Sequence, residues 1–203
     1  MVDQRDLIVM SSTPAPLESE DFDIEGTIIK KCTARIDNPK ARDQLRSKGF
    51  GDAEGTDYIL KSYEALYLVF TKKLRLFNKG QEIDFRELTN LALKEDKEII
   101  TKFMIYRDLR SRGYVTKEGF GFGVDFRVYE RGEYEKKGAK YVIFGINEGT
   151  NTNVKALAKS IRQIEIMGKE AIVAVVERRG EVIYYKTSRM KFASLNDQMK
   201  AKR

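Results

Sequence analysis

The residues best placed to do chemistry in this chain lie between Tyr106 and Tyr129, in the stretch YRDLRSRGYVTKEGFGFGVDFRVY. From Phe120 to Val128 every even position is apolar (Phe120, Phe122, Val124, Phe126, Val128), while the odd positions hold Gly121, Gly123, Asp125, Arg127 and then Tyr129. Side chains on a strand alternate between two faces, so this pattern predicts one half-buried strand. Its outer face is bare backbone at the two glycines, which lets another molecule approach and meet Asp125, Arg127 and Tyr129 together. Such a face offers an acid, a cation and a phenol to whatever approaches, yet the chain contains no histidine, the side chain that most readily moves protons near neutral pH. An ordinary edge strand whose glycines relieve crowding has the same pattern, and the alternation alone does not choose between the two.

Stepping outward, the elements that must hold this stretch are legible on both sides of it. Thr27 to Lys31 reads as a short strand, Asp37-Asn38-Pro39 opens a helix that closes near Gly49, and Tyr58 to Leu60 makes another strand. Ser62 can cap a helix carrying Ala65, Leu66 and Val69, Leu74 to Phe77 returns as a strand, and Asn78-Lys79-Gly80 turns. Asp84 and Glu87 form a capping box ahead of Leu88, Leu91 and Leu93. A second unit begins with the helix of Ile99, Ile100, Phe103, Tyr106 and Leu109, ended by Gly113. Tyr141 to Ile146 has the continuous apolar character of a central strand, and Val154, Leu157, Ala158, Ile161, Ile164 and Met167 give a helical stripe that covers a sheet, with Gly168 as the stop. Ala171 to Val176 and Val182 to Tyr185 follow as strands joined by Glu177-Arg178-Arg179-Gly180-Glu181. The expected fold is α+β with a mixed sheet. It has an acidic leader over 1–25, a small N-terminal α+β domain over 26–93, a C-terminal domain of mixed central sheet and flanking helices over 94–192, and a basic tail over 193–203.

Charge and composition limit the function classes. The chain has 203 residues and net charge +7, but residues 1–25 hold seven acids against Arg5 alone, so the remainder carries +13. A body that basic attracts polyanions by releasing their condensed counterions, although solvated lysines and arginines also serve solubility. The single Cys32 has no cysteine to pair with and no metal-ligand partners at short spacing, which suits a reducing compartment and argues against a zinc site. No apolar run approaches a membrane span and the N-terminus lacks the layout of a signal peptide, so the expectation is cytoplasmic, without membrane or cofactor.

Several ordered segments resemble the archaeal tRNA-splicing endonucleases, over about residues 26–192. GFGDAEG and ILKSYEALYLV look like that family's N-terminal domain, YRDLRSRGYVTKEGFGFGVDFRVYERG like the start of its catalytic domain, and AKSIRQIEIMGKEAIVAVVERRGEVIYY like its end. The resemblance implies an assembly of four subunits or their equivalent. Such an assembly recognises a bulge-helix-bulge in precursor tRNA and cuts each intron boundary without metal, leaving a 2′,3′-cyclic phosphate and a 5′-hydroxyl. In the family the proton transfers and charge neutralisation are supplied by tyrosine, histidine and lysine. Tyr129 matches the tyrosine, Gly138 stands at the histidine position three residues before Tyr141, and Gln163 stands at the lysine position after Ser160-Ile161-Arg162. Ala156 stands where an arginine helps to sandwich a bulged base, with Lys155 beside it.

On these grounds the resemblance implies a noncatalytic structural subunit of a heteromeric endonuclease, two copies pairing with two of a catalytic subunit that carries the triad. Arg127, Lys155 and Arg162 are the expected RNA contacts. Glu177, Arg178, Arg179, Gly180, Glu181, Val182 and Tyr184 are the expected subunit interface, because the family joins C-terminal strands edge to edge and inserts a charged hairpin loop into a partner. Arg178 and Arg179 depart from a purely acidic loop. Two other readings stand beside this one: an active homomeric endonuclease with displaced groups, for which Lys136, Lys137 and Lys140 flank the missing histidine, and a basic RNA-binding module with no part in cleavage.

Overall fold

The computed structural model describes residues 24–121 and 123–190. The acidic leader apart from Ile24 and Glu25, Phe122, Lys191, Phe192 and the whole basic tail fall outside them. Strand β1 (Ile24–Ile28) is followed by a single 3-10 turn at Lys30–Cys32. The expected Thr27–Lys31 strand is thus displaced toward the N-terminus, because Lys31 and Cys32 adopt positive φ. Strand β2 (Ala34–Arg35) leads to α1 (Pro39–Ser47), whose Asn38 side chain accepts from the Lys40 and Ala41 N–H groups while Pro39 takes the first helical position. Strands β3 (Asp52–Glu54) and β4 (Asp57–Leu60) form a hairpin, and α2 (Ser62–Phe70) follows. Ser62 is the first helical residue rather than the cap. Lys61 holds the cap position, and its N–H donates to Glu64 at 2.9 Å.

Strands β5 (Leu74–Asn78) and β6 (Gln81–Ile83) complete a six-stranded sheet of order β3-β4-β2-β1-β5-β6. Helix α3 (Phe85–Glu95) carries the expected Asp84 and Glu87 capping box. Helix α4 (Ile99–Ser111) then crosses to a second sheet of order β11-β10-β9-β8-β7, made of β7 (Val115–Gly121), β8 (Val124–Tyr129), β9 (Tyr141–Asn147), β10 (Glu170–Val176) and β11 (Val182–Thr187). Strand β10 runs parallel to β9 and antiparallel to β11. Helix α5 (Val154–Ile166) is the crossover between β9 and β10. The fold is a mixed α+β arrangement.

Helix α4 holds the two sheets together. One face packs on α2 and the other on β7, β9, β10 and β11. Its Tyr106 is fully buried, with ring centres 5.0 Å from Tyr63, 5.7 Å from Tyr67 and 6.1 Å from Phe126. Arg110 lies 3.7 Å over the Phe50 ring and donates to the Lys48 carbonyl at 2.7 Å. A single buried cluster therefore runs from Ile24 to Val176 through both sheets.

A smaller cluster of Val124, Val142, Phe144, Ile164 and Ala171 lies under α5, joined by Leu157 and Ile161. The stripe expected on α5 is narrower than its apolar residues suggest. Val154 is 75% exposed and Met167 46% exposed, because they sit at the ends of the helix, beyond the sheet it covers.

Candidate functional site

The expected single strand from Phe120 to Val128 is instead a turn. Gly121 ends β7 with φ +91°, Gly123 has φ +75°, and β8 starts at Val124 antiparallel to β7. The alternation in the sequence counts through this turn without registering it. The ladder slips between Glu118 and Gly121, a bulge that accommodates one extra residue on β7. Gly119 lies against the Val124 carbonyl, so a side chain there would meet backbone at 2.3 Å.

The three polar residues expected to act together are also separated, because the pairing of β8 with β9 ends at Phe126 and Asp125 lies beyond it. Asp125 accepts from the Gly145 N–H at 2.7 Å, beside Ile105 of α4. Burial pushes its carboxyl upward, and the Gly145 hydrogen bond and Lys102 only partly offset this. Arg127 instead pairs across from Val142, which belongs to the cluster under α5. Tyr129 shares that face by alternation. Asp125 therefore belongs to the α4 side of the sheet, and only Arg127 and Tyr129 remain on the α5 side.

Arg127 has a buried Nε–H with no acceptor among the described residues. Its guanidinium lies 5.8 Å from the centre of the Phe120 ring. Leaving such a donor buried and unpaired costs about 1–3 kcal/mol. Tyr129 packs edge-on against Tyr134 with ring centres 5.1 Å apart. Tyr134 lies in the loop between β8 and β9, and Gly138 stands exposed farther along the same loop. The space around Gly138 is open: the nearest atom to a side chain built there is Lys169 Nζ, at 3.8 Å. Lys169 donates to the Ala139 carbonyl, tying the loop to the C-terminal end of α5. Gln163 is half-buried on that helix, with Lys155, Ala156 and Arg162 exposed. Tyr129, Gly138 and Gln163 thus lie on a strand end, a loop and a helix of the unit built on the second sheet.

A network that the sequence did not disclose adjoins this region. Lys117, in register with Arg127, is buried and donates to the Gly51 carbonyl and to Asp52 at 3.1 Å. The Gly51 N–H donates to Glu64 at 3.0 Å, and burial pushes the Glu64 carboxyl upward against the pull of Lys117 and of the Lys61 and Gly51 N–H groups. Lys117 Nζ also stands 6.0 Å from the Tyr134 ring. Gly49 is required here twice over, by φ +70° and by Val115, which a side chain would meet at 2.5 Å. The visible signal was a glutamate inside the apolar run SYEALYLV, but its partners lie far along the chain.

The loop between β10 and β11 is a tight hairpin. Glu177 N–H donates to the Glu181 carbonyl at 2.9 Å and Gly180 N–H to the Glu177 carbonyl at 2.8 Å. Arg178 and Arg179 are exposed, while the Arg178 N–H is held by Glu148 at 3.0 Å. Strand β11 is the edge of the second sheet. Two of its expected interface residues turn inward: Val182 joins the main core, and the Tyr184 hydroxyl donates to Asp108 at 2.8 Å. Alternation leaves Ile183 and Tyr185 as the outward side chains, the latter 50% exposed.

Among the described residues no three His, Cys, Asp or Glu side chains are grouped to hold a metal ion, and no helix is long and apolar enough to cross a membrane. Residues 27–89 match the family described as tRNA intron endonuclease, N-terminal domain, and residues 99–184 match tRNA intron endonuclease, catalytic C-terminal domain. The chain is 33% identical over 154 residues to a tRNA-splicing endonuclease of Thermococcus onnurineus, covering 75% of this chain and 89% of that one. It is 31% identical over 149 residues to a tRNA-splicing endonuclease of Methanococcus vannielii, covering 73% and 84%. The Pyrococcus abyssi protein of the same description is 29% identical over 154 residues, covering 75% and 89%.

Proposed function

We propose that this chain, which belongs to the tRNA-splicing endonuclease family, is the noncatalytic structural subunit of a heteromeric enzyme that removes introns from precursor tRNA. The observation that carries this reading is the absence of any histidine from the whole sequence. A chain without one cannot place an imidazole anywhere, whatever the alignment. Lys136, Lys137 and Lys140 flank Gly138, but Lys140 is engaged by Glu130 at 2.6 Å, which raises its pKa and makes it a poorer acid still. Lys137 is held likewise by Glu133.

The roles left to the chain are binding and assembly. Arg127, with its unpaired Nε–H, and the exposed Lys155 and Arg162 offer cations to the RNA backbone on the α5 side. Strand β11 offers main-chain hydrogen bonds along an open edge, with Ile183 and Tyr185 outward, and Arg178 and Arg179 offer charge at the hairpin. The catalytic partner would be a second family member carrying tyrosine, histidine and lysine, with two copies of each subunit in the assembly.

The test is cleavage of a bulge-helix-bulge RNA by the pure chain, alone and mixed with a histidine-bearing family member from the same source. Cutting at the intron boundaries is expected only in the mixture. Cutting by this chain alone would establish displaced catalytic groups, and RNA binding that no partner converts to cutting would establish a binding module.

A further inference from the structure

Lys169 adds a cation beside Gly138 that the family resemblance does not assign. Gly168 turns the chain off α5 with φ +67°, and the Lys169 N–H closes that helix end on the Ile164 carbonyl at 3.1 Å. Register then places the residue at the site. Arg127 pairs with Val142 and Val142 with Ala171, so two residues farther toward the same end of β8, β9 and β10 stand Tyr129, Lys140 and Lys169 in one row. The ladder reaches that row, since the Lys140 N–H donates to the Val128 carbonyl and the Glu170 N–H to the Lys140 carbonyl, each at 3.0 Å. Two strand spacings put the Tyr129 and Lys169 backbones roughly 10 Å apart. Among the described residues, Lys169 Nζ is the one atom within 4 Å of a side chain built on Gly138.

Among the described residues no carboxylate takes up the charge of Lys169. Its Nζ donates to the Ala139 carbonyl, which uses one of three N–H bonds. The acids on either side are engaged elsewhere: Glu130 by Lys140 at 2.6 Å, Glu133 by Lys137 at 2.8 Å and Glu170 by Lys186 at 2.9 Å, while Glu165 accepts the Arg189 N–H at 2.8 Å. Glu135, the remaining acid of the loop, is exposed. A half-buried ammonium with N–H bonds to spare, beside open space, suits a phosphate oxygen.

We propose that Lys169 binds a phosphate of the RNA backbone beside Gly138, the position that the resemblance assigns to histidine, and so keeps RNA seated on a subunit that does not cut. The inference rests on the reading of this chain as a noncatalytic, RNA-binding subunit. Residue type fits the task. An ammonium is a compact point charge with three donors, which holds an anion in place, whereas proton transfer near neutral pH is the work of an imidazole. The contact to the Ala139 carbonyl serves the same end, because it fixes the head of a side chain that would otherwise lose rotamer freedom when RNA binds.

Binding of a bulge-helix-bulge RNA by the full chain over a range of salt tests the proposal. Lys169→Gln keeps an N–H donor for the Ala139 carbonyl but no charge, and Lys169→Arg keeps both. The glutamine variant is expected to bind about tenfold more weakly and to lower the slope of log affinity against log salt by about one. The arginine variant should stay within about twofold of the native chain. An unchanged slope in Lys169→Gln would overturn the proposal and leave the family reading standing; no RNA binding by the native chain, alone or with a histidine-bearing partner, would overturn both. Cutting by the chain alone that Lys169→Gln abolishes would overturn it in favour of a displaced catalytic group. A second measurement needs no variant. With RNA at about ten times its Kd, acetylation of Lys169 by acetic anhydride, read by mass spectrometry, should slow about tenfold, and an unchanged rate would likewise overturn the proposal.

Discussion

Gly138 is surrounded by open space, and Gln163 is a half-buried helical residue close in size to lysine. The frame around the two positions that the family resemblance assigns to histidine and lysine can therefore accept those side chains. Restoring both, as Gly138→His with Gln163→Lys, is expected to give the chain detectable cutting of a bulge-helix-bulge RNA by itself, whereas either substitution alone stays silent; gel analysis of the RNA fragments decides it. Conversely, Tyr129→Phe in the assembled enzyme should change the cleavage rate less than about threefold, since loss of a working general base costs on the order of 10²–10⁴. Glu64 makes a separate prediction. Burial raises its pKa above the ordinary 4.5, so the folded chain holds this proton more tightly than the unfolded chain does. The resulting stabilisation is full below the ordinary value and is lost as pH rises through the raised one. The urea midpoint of the native chain relative to Glu64→Gln should accordingly fall as pH rises above about 4.5, and a constant difference would mean that Glu64 does not titrate there.

At the scale of elements, the hairpin of β10 and β11 and the brace of Lys117 make different demands. Arg178 and Arg179 are exposed, and the ion pair of Arg178 with Glu148 is long, at 3.9 Å, and solvated, so Arg178→Glu with Arg179→Glu should change thermal stability little while weakening subunit association, as read by light scattering. Lys117→Met should do the reverse. It strips Glu64 and Asp52 of a buried cation and should cost about 3 kcal/mol of stability in denaturant unfolding. Helices and strands with local signals were legible in the sequence: Asn38-Pro39, the Asp84 and Glu87 box and the run at Tyr141 all act over a few residues. The turn at Gly121 and Gly123 was not, because apolar residues continue at even positions through it. Nor could alternation show that Asp125 faces α4, since Asp125 lies beyond Phe126, where the pairing of β8 with β9 ends. Lys117 and Glu64 stayed hidden for another reason: a lysine in a strand and a glutamate in a helix acquire meaning only when tertiary structure buries them together.

For the molecule as a whole, the decisive feature is that the main core passes through both sheets. Tyr63 and Tyr67 come from α2, Tyr106 from α4 and Phe126 from β8, and each touches another across the boundary between the two family matches. The cluster also makes the chain its own optical probe. With ten tyrosines and no tryptophan, its near-ultraviolet circular dichroism comes from tyrosine and phenylalanine rings, and the three clustered tyrosines are among the most rigidly held. That signal reports the seating of one sheet on the other, free of the indole background that masks tyrosine in most proteins, and it needs no label.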